Sequence, residues 1–257
     1  MNAAPTTPAL ANDAQRGSHW QQRIVLQPFY DVDGITIYCG DNRRILPLLD
    51  DCDLLLTDPP YGIKAATSRN GNTKPDGRWK GRKQREYYGE SWDEKPADAW
   101  MMSLAQSKCQ KQIIWGGNYY PLPPSRCWLV WDKDTGENSY ADCELAWTNL
   151  DKAVRRIKHL WSGFRKEQPE ERHHPTQKPL RVIQWALEQA GETTSVLDPW
   201  MGSGTTLVAA KARGLRAIGI EANETYCRAA VARLAQDVLG LENGHAQRAG
   251  AKKHEHV

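Results

Sequence analysis

The sequence predicts an α/β fold built on a largely parallel sheet, and three stretches support this prediction. Apolar runs at 35–38 and 53–57 are typical of buried strands, and a short helical connector can join them. Far along the chain, a third apolar run at 196–198 is followed by a glycine-rich turn and a helix. Alternating strands and helices are the pattern of parallel sheets. The length of 257 residues suits one sizeable α/β domain, or one domain with a large insertion.

The remaining elements follow from apolar periodicity and from glycine and proline positions. Further strands are predicted at 112–118, 127–131, 144–148 and 216–221. Helices are predicted at 42–49, where Pro47 limits the length, and at 98–109, 180–190, 205–213 and from 223 onward. Loops are expected at 62–95 and 132–142, and 151–173 is expected to be loop and surface. Residues 1–22 are expected to form a disordered arm, 23–240 one domain and 241–257 a frayed tail.

Composition and charge narrow the class of protein. The net charge of +3 is too small to indicate nucleic acid binding by itself, but basic residues cluster in two places. The first cluster comprises Arg69, Lys74, Arg78, Lys80, Arg82, Lys83 and Arg85, and the second Lys152, Arg155, Arg156, Lys158, Arg165 and Lys166. Each cluster is either a solvated face or a nucleic acid contact.

Cysteine use and hydropathy indicate a cytosolic protein. The six cysteines form no CxxC pair, which favours free thiols in a reducing compartment over a zinc site or disulfides. No apolar run is long enough to span a bilayer, and no signal peptide is apparent. We therefore expect a cytoplasmic protein without a membrane partner.

The stretch Asp58-Pro59-Pro60-Tyr61 ends one of the predicted strands in a stiff acidic turn. The two prolines fix their own φ angles and restrict the residues before them to extended conformations. The Asp58 carboxylate and the Pro59 carbonyl can accept both N–H bonds of an exocyclic amine, and Tyr61 can stack on its ring. An ordinary strand-to-loop turn is the alternative.

The stretch from Ser195 to Glu221 predicts an adenosine-cofactor site. It reads as a strand, a glycine turn, a helix and a strand that ends in an acid, and Glu221 is placed to hold ribose hydroxyls. The turn lacks the third glycine of the dinucleotide fingerprint, which makes a pyrophosphate ligand less favoured. Asp198 in the loop instead suggests a cationic ligand end, such as the amino acid part of S-adenosylmethionine. The alternative is an ordinary βαβ turn.

These motifs, in this order, resemble the amino-group DNA methyltransferases of the β type. The resemblance rests on Asp58 to Tyr61, His174-Pro175-Thr176-Gln177-Lys178-Pro179 and Asp198 to Thr206, and it covers about 35–240. It implies a Rossmann-like, seven-stranded methyltransferase sheet with circularly permuted strands and an inserted target-recognition region. The implied divisions are a catalytic half at 23–119, recognition segments and mobile loops at about 62–95 and 120–173, and a cofactor half at 174–240.

The resemblance also implies a role for each matching residue. Asp58, Pro59, Pro60 and Tyr61 would be catalytic and hold the target base. S-adenosyl-L-methionine would be bound by Asp41, Asp58, Thr176, Gln177, Lys178, Asp198, Trp200, Gly202, Gly204, Thr205 and Glu221. Double-stranded DNA would be contacted by Arg69, Lys74, Arg78, Lys80, Arg82, Lys83, Arg85, Arg155, Arg156 and Lys158.

The implied activity is methylation of the N6 amine of adenine in a specific DNA sequence after base flipping. Asp58 favours adenine because the cytosine-N4 members of the family more often carry Ser at that position. Cytosine N4, an RNA or protein-amide substrate, and a catalytically idle DNA-binding protein are the alternatives. We expect a bacterial or phage-encoded enzyme, a homodimer as a plausible assembly, and no metal, since His173 and His174 have no partner cluster.

Overall fold

The computed structural model describes residues 26–63, 93, 95–135, 141–162, 165–166 and 177–236. Within them, one nine-stranded sheet forms the centre of the fold, and a separate two-stranded hairpin lies outside it. Five of the eight strand pairs in the large sheet are parallel, so the predicted α/β class is confirmed.

The elements are numbered in chain order. The strands are β1 (Tyr30–Val32), β2 (Ile35–Cys39), β3 (Cys52–Thr57), β4 (Cys109–Trp115), β5 (Trp128–Asp132), β6 (Cys143–Thr148), β7 (Arg155–Lys158), β8 (Trp161–Ser162), β9 (Arg165–Lys166), β10 (Ser195–Asp198) and β11 (Arg216–Glu221). The helices are α1 (Asn42–Ile45), α2 (Ala99–Ser107), α3 (Leu180–Ala190), α4 (Thr205–Lys211) and α5, which occupies 224–236.

The strand order places the last two strands of the chain among the first. The large sheet runs β1-β2-β11-β10-β3-β4-β6-β5-β7. Glu221 of β11 is in register with Cys39 of β2, and Val196 of β10 is in register with Leu54 of β3. The late strands β10 and β11 therefore lie between the early strands β2 and β3. The carboxyl ends of β2, β3, β10 and β11 meet at one edge of the sheet.

The side chains of β3 show why the sheet is covered on both faces. Leu54 and Leu56 are fully buried in the core that includes α3, α4 and α5, whereas Leu55 is buried in the core beneath α1 and α2. Successive strand residues point to opposite faces, so a continuous apolar run is required where both faces are covered.

The structure corrects several details of the prediction. The sheet has nine strands where seven were expected, because the unpredicted β1 and β7 pair along its two edges. Residues 151–173, expected to be loop and surface, contain β7, β8 and β9. The predicted helix at 42–49 is interrupted: α1 ends at Ile45 and a 3₁₀ turn over Leu46–Leu48 carries Pro47. Across the described residues, none of the helices has the length and apolar character of a membrane span.

Candidate active site

A cavity of about 580 Å³ lies at the carboxyl ends of the central strands. Four acids from this edge line it: Asp41 after β2, Asp58 after β3, Asp198 at the end of β10 and Glu221 at the end of β11. Cavities of this size typically enclose a small-molecule ligand or cofactor. The edge is also where open parallel sheets bind ligands.

The turn after β3 is held by hydrogen bonds on both sides. The backbone N–H groups of Tyr61 and Gly62 donate to the buried Asp93 carboxylate at 2.8 and 2.9 Å. The Pro60 carbonyl accepts from the Tyr120 hydroxyl and from the Ala97 amide. The prolines make the turn stiff and these contacts fix its direction, so the Asp58 side chain is presented to the cavity in a defined place.

The Tyr61 ring packs in a narrow slot. Its hydroxyl donates to the Asp58 carboxylate. One ring face is stacked on Tyr119, with the centroids 4.8 Å apart and the planes at 17°. A Cβ on Gly116 would lie 2.0 Å from the ring, and the φ of Gly116 is +64°. Only glycine therefore fits both the backbone angle and the ring at this position.

Lys178 is the buried cation of the site. Its ammonium lies 2.5 Å from Asp58 Oδ2 and 3.1 Å from Glu144 Oε2, and its side chain is 6% exposed. Glu144 in turn contacts Lys133 at 2.8 Å. Burial raises the pKa of Asp58 even though the Lys178 ammonium opposes this rise. Burial also tends to raise the pKa of Glu144, but the two lysines outweigh this effect and lower its pKa to about 2.

Asp198 is a buried acid between the glycine turn and β3. Its Oδ1 accepts from the Thr57 hydroxyl at 2.7 Å and from the Trp200 amide at 3.2 Å. Burial raises the pKa of Asp198 to about 6, against the hydrogen bonds from Thr57 and Thr206 that lower it. Its charged form is therefore stabilised by hydroxyl and amide donors and remains costly in the absence of a bound cation.

The glycine turn places a backbone amide beside the Glu221 carboxylate. Gly202 and Gly204 have φ values of +52° and +77°, which favour glycine. The Glu221 carboxylate accepts from the Gly202 amide at 3.1 Å and from the Asn223 amide at 2.8 Å. Burial nevertheless raises the pKa of Glu221 to about 7.

The outer wall of the cavity is formed around α1. Asp41 caps this helix and pairs with Arg43 at 2.6 Å, and the hydrogen bonds from Arg43 lower the pKa of Asp41. Asn42 donates to the Pro199 carbonyl, while its own buried Oδ1 has no hydrogen-bond partner among the described residues. Trp200 lines the same wall. The Asn42 oxygen is thus available to a ligand donor.

The remaining predicted cofactor residues lie in the same wall or just behind it. Gln177 lines the cavity, and its Oε1 accepts from the Ser203 hydroxyl at 3.2 Å. Thr205 also lines the cavity, and its hydroxyl accepts from the buried Arg233 at 2.9 Å. Thr176 falls outside the described residues.

The predicted DNA contacts divide between described and undescribed residues. Arg69, Lys74, Arg78, Lys80, Arg82, Lys83 and Arg85 all fall outside the described part of the chain. Arg155, Arg156 and Lys158 are exposed along the edge strand β7. Arg156 and Lys158 pair with Asp132 at 3.7 Å and Asp134 at 2.8 Å.

Sequence reasoning missed Glu144, Lys133, Asp93 and Tyr119. Glu144 left one usable signal, because it begins an otherwise apolar predicted strand. The other three gave none, since each joins the site only through long-range packing.

The cavity fits an adenosine cofactor that carries a positive charge. Two acids with raised pKa values, the buried Asp198 and the partly buried Glu221, face it, and the left-handed glycines let backbone approach closely. The class of protein that combines this sheet, this acidic glycine loop and an Asp-Pro-Pro-Tyr turn is the methyltransferases.

Comparison with known proteins supports this class. Residues 73–232, more than half of the chain, match the N6_N4_Mtase family model, described as DNA methylase. The chain therefore belongs to this family of DNA methylases, whose methyl donor is S-adenosylmethionine. The Asp58 turn lies ahead of the matched residues.

Individual relatives match the chain over different lengths. YubD from Escherichia coli (strain K12), named as a methylase, is 46% identical over 76 residues, which cover 29% of this chain and 34% of YubD. Type II methyltransferase M.ScaI from Streptomyces caespitosus is 23% identical across 90% of this chain and 93% of its own. The crystal structure of an M1.HpyAVI–SAM complex is 20% identical, covers 78% of this chain and 100% of that chain, and has a TM-score of 0.49.

Proposed function

We propose that this protein transfers a methyl group from S-adenosylmethionine to the N6 amine of adenine within a specific double-stranded DNA sequence. The observation that carries the proposal is that Asp58, at the amine-binding turn, opens into the same cavity as Asp198 and Glu221. A donor on one side and an acceptor amine on the other can then react without leaving the cavity.

The cofactor half of the cavity would hold S-adenosylmethionine through its charged and polar groups. Asp198 and the backbone of Gly202 and Gly204 would contact the methionine part, and Glu221 would accept from the ribose hydroxyls. Asp41 would approach the adenine edge, and Trp200 would pack on the cofactor. A bound cationic cofactor would offset the charge of Asp198, which otherwise lies buried.

The other half of the cavity would hold the target base. The Asp58 carboxylate and the Pro59 carbonyl would accept the two N–H bonds of the amine, which favours a more tetrahedral nitrogen with its lone pair free. Bound S-adenosylmethionine supplies an electrophilic methyl group on a sulfonium. Tyr61 would stack on the base. Since an exocyclic amine cannot reach this site from inside a duplex, the base must be flipped out.

Adenine is favoured over cytosine by the acidic residue at position 58. In the resembling family, cytosine-N4 enzymes more often have Ser at the first position of the turn. The basic residues of β7 and of the segment 69–85 would then contact phosphates, which position the duplex but carry no sequence information.

Asp58→Ala tests the proposal directly. We expect this variant to lose methyl transfer to duplex DNA, by about 100-fold or more, and to retain cofactor affinity. Asp50→Ala is the matched control, because this exposed acid precedes β3 at the opposite edge of the sheet.

The readouts are transfer of a labelled methyl group, calorimetric cofactor binding, and mapping of the modified base. N6-methyladenine is the expected product. Wild-type activity in Asp58→Ala would refute the amine clamp, and N4-methylcytosine as the sole product would refute the adenine assignment.

A further inference from the structure

Four charged side chains form a continuous row behind the cavity. In order they are Lys133, Glu144, Lys178 and Asp58, with successive contacts of 2.8, 3.1 and 2.5 Å. Asp58 and Lys178 belong to the cavity wall, whereas among the described residues Glu144 and Lys133 do not. An ion pair with Lys178 joins Glu144 to the cavity wall.

The burial of Lys178 constrains what Asp58 can do. An ammonium that is 6% exposed requires an anion beside it, because an unpaired buried charge is strongly destabilising. Both Asp58 oxygens are engaged, Oδ2 by Lys178 and Oδ1 by the Tyr61 hydroxyl. Each carboxylate oxygen has two lone-pair sites, so a target amine that binds Asp58 shares its negative charge with Lys178 and Tyr61. Lys178 then depends more on a second carboxylate, and Glu144 is already within contact distance.

We propose that Glu144 is a positioning residue that holds Lys178 while Asp58 serves the target amine. This inference rests on the proposed function, since it assigns a role in the same reaction. Lys133 contacts the other oxygen of the Glu144 carboxylate, and the pairing of β6 with β5 fixes the backbone of Glu144.

The proton balance of the reaction shows where Glu144 is needed. The target nitrogen forms its bond to the methyl carbon as the S–C bond breaks, and that electron pair stays on sulfur. The nitrogen is then cationic and releases one proton to the Asp58 carboxylate. Neutral Asp58 no longer balances Lys178, so the charge of Glu144 keeps the buried ammonium paired throughout.

The arrangement has a consequence for the pH dependence of catalysis. Burial raises the pKa of Asp58, and like-charge repulsion from Glu144 acts in the same direction. Removing that charge lowers the pKa, so ionised Asp58 persists to lower pH but is a weaker base. The titratable and charged groups that face Asp58 or Glu144 are Tyr61, Tyr120, Lys133, Lys178 and Asp198.

The test is the pH profile of single-turnover methylation by Glu144→Gln. We expect the plateau rate to fall on the order of 100-fold and the acidic limb to move to lower pH. Glu188→Gln is the control, because this acid forms an exposed 3.1 Å pair with Arg181 on α3. It should leave both features unchanged. A reduced plateau with an unmoved limb, or an unchanged plateau, would overturn the role of Glu144.

A second comparison remains informative if Glu144→Gln alone folds poorly. Because Glu144 positions Lys178, Glu144→Gln should lower the rate far less in the Lys178→Met background than in the wild type. A loss of equal size in both backgrounds would show that Glu144 does not act through Lys178. A wild-type enzyme that methylates no DNA would overturn the proposed function as well, whereas these variant outcomes concern Glu144 alone.

Discussion

Glu221→Gln should stabilise the ligand-free protein at alkaline pH. The pKa of this carboxyl is raised by burial from 4.5 to about 7. A group whose pKa is raised on folding favours the folded state when protonated and opposes it once ionised. The cost of ionised Glu221 therefore grows as pH rises from about 4.5 and is complete above about pH 8.

The magnitude follows from the difference between the two pKa values. It corresponds to about 3 kcal/mol at pH 8 and to less than about 1 kcal/mol at pH 5. Glutamine is neutral at both pH values, and because its NH₂ group cannot accept from the Gly202 or Asn223 amide, it loses one hydrogen bond at both. We thus expect the stability of the variant relative to the wild type to be higher at pH 8 than at pH 5 by about 2 kcal/mol.

Urea unfolding of the ligand-free protein at the two pH values measures this difference. Glu224→Gln is the control. Glu224 lies three residues after Glu221 and forms an exposed ion pair with Arg228. If Glu221 binds the cofactor as proposed, the same variant should bind S-adenosylmethionine about tenfold or more weakly, since a charged acceptor for the ribose hydroxyls is lost. A stability difference that is equal at pH 5 and pH 8 would refute the electrostatic reasoning.

Two further substitutions test the geometry of the cavity. Gly116→Ala places a Cβ 2.0 Å from the Tyr61 ring, so methyl transfer should fall by about 100-fold or more with cofactor affinity retained. Single-turnover rates and calorimetric cofactor binding would measure these two effects. Full activity would show that the Tyr61 ring does not need the space beside Gly116. Thr57→Val removes a 2.7 Å hydrogen bond that lowers the pKa of Asp198, so this pKa should rise above about 6. As the pH falls, cofactor affinity should then weaken at a higher pH than in the wild type. An affinity profile at the wild-type pH would contradict the role of the Thr57 hydrogen bond.

Local sequence patterns were enough to predict much of the fold and part of the cavity. The apolar runs of β3, β10 and β11 were long enough to identify, and Asp58 and Glu221 come directly at their ends. What local pattern could not supply was the set of contacts that depend on register. Lys178 contacts Asp58 from a position 120 residues later in the chain. Glu144 contacts Lys178 from β6, which pairs antiparallel with β4. Such contacts follow from packing of the finished sheet.

Four acids in the cavity wall or directly behind it, Asp58, Glu144, Asp198 and Glu221, fall into two electrostatic environments. Glu144 is paired with two lysines, which hold its pKa near 2, and Asp58 shares one of those lysines. Asp198 and Glu221 instead accept from hydroxyl and amide groups, and their pKa values rise to about 6 and about 7. A cationic ligand gains most beside the second pair, where no lysine of the described residues is in contact with the acids. The neutral amine of a base gains most beside Asp58, where Lys178 favours the charged acceptor that the amine requires. Under the proposed function, the two environments thus give each reactant of methyl transfer its own side of the cavity.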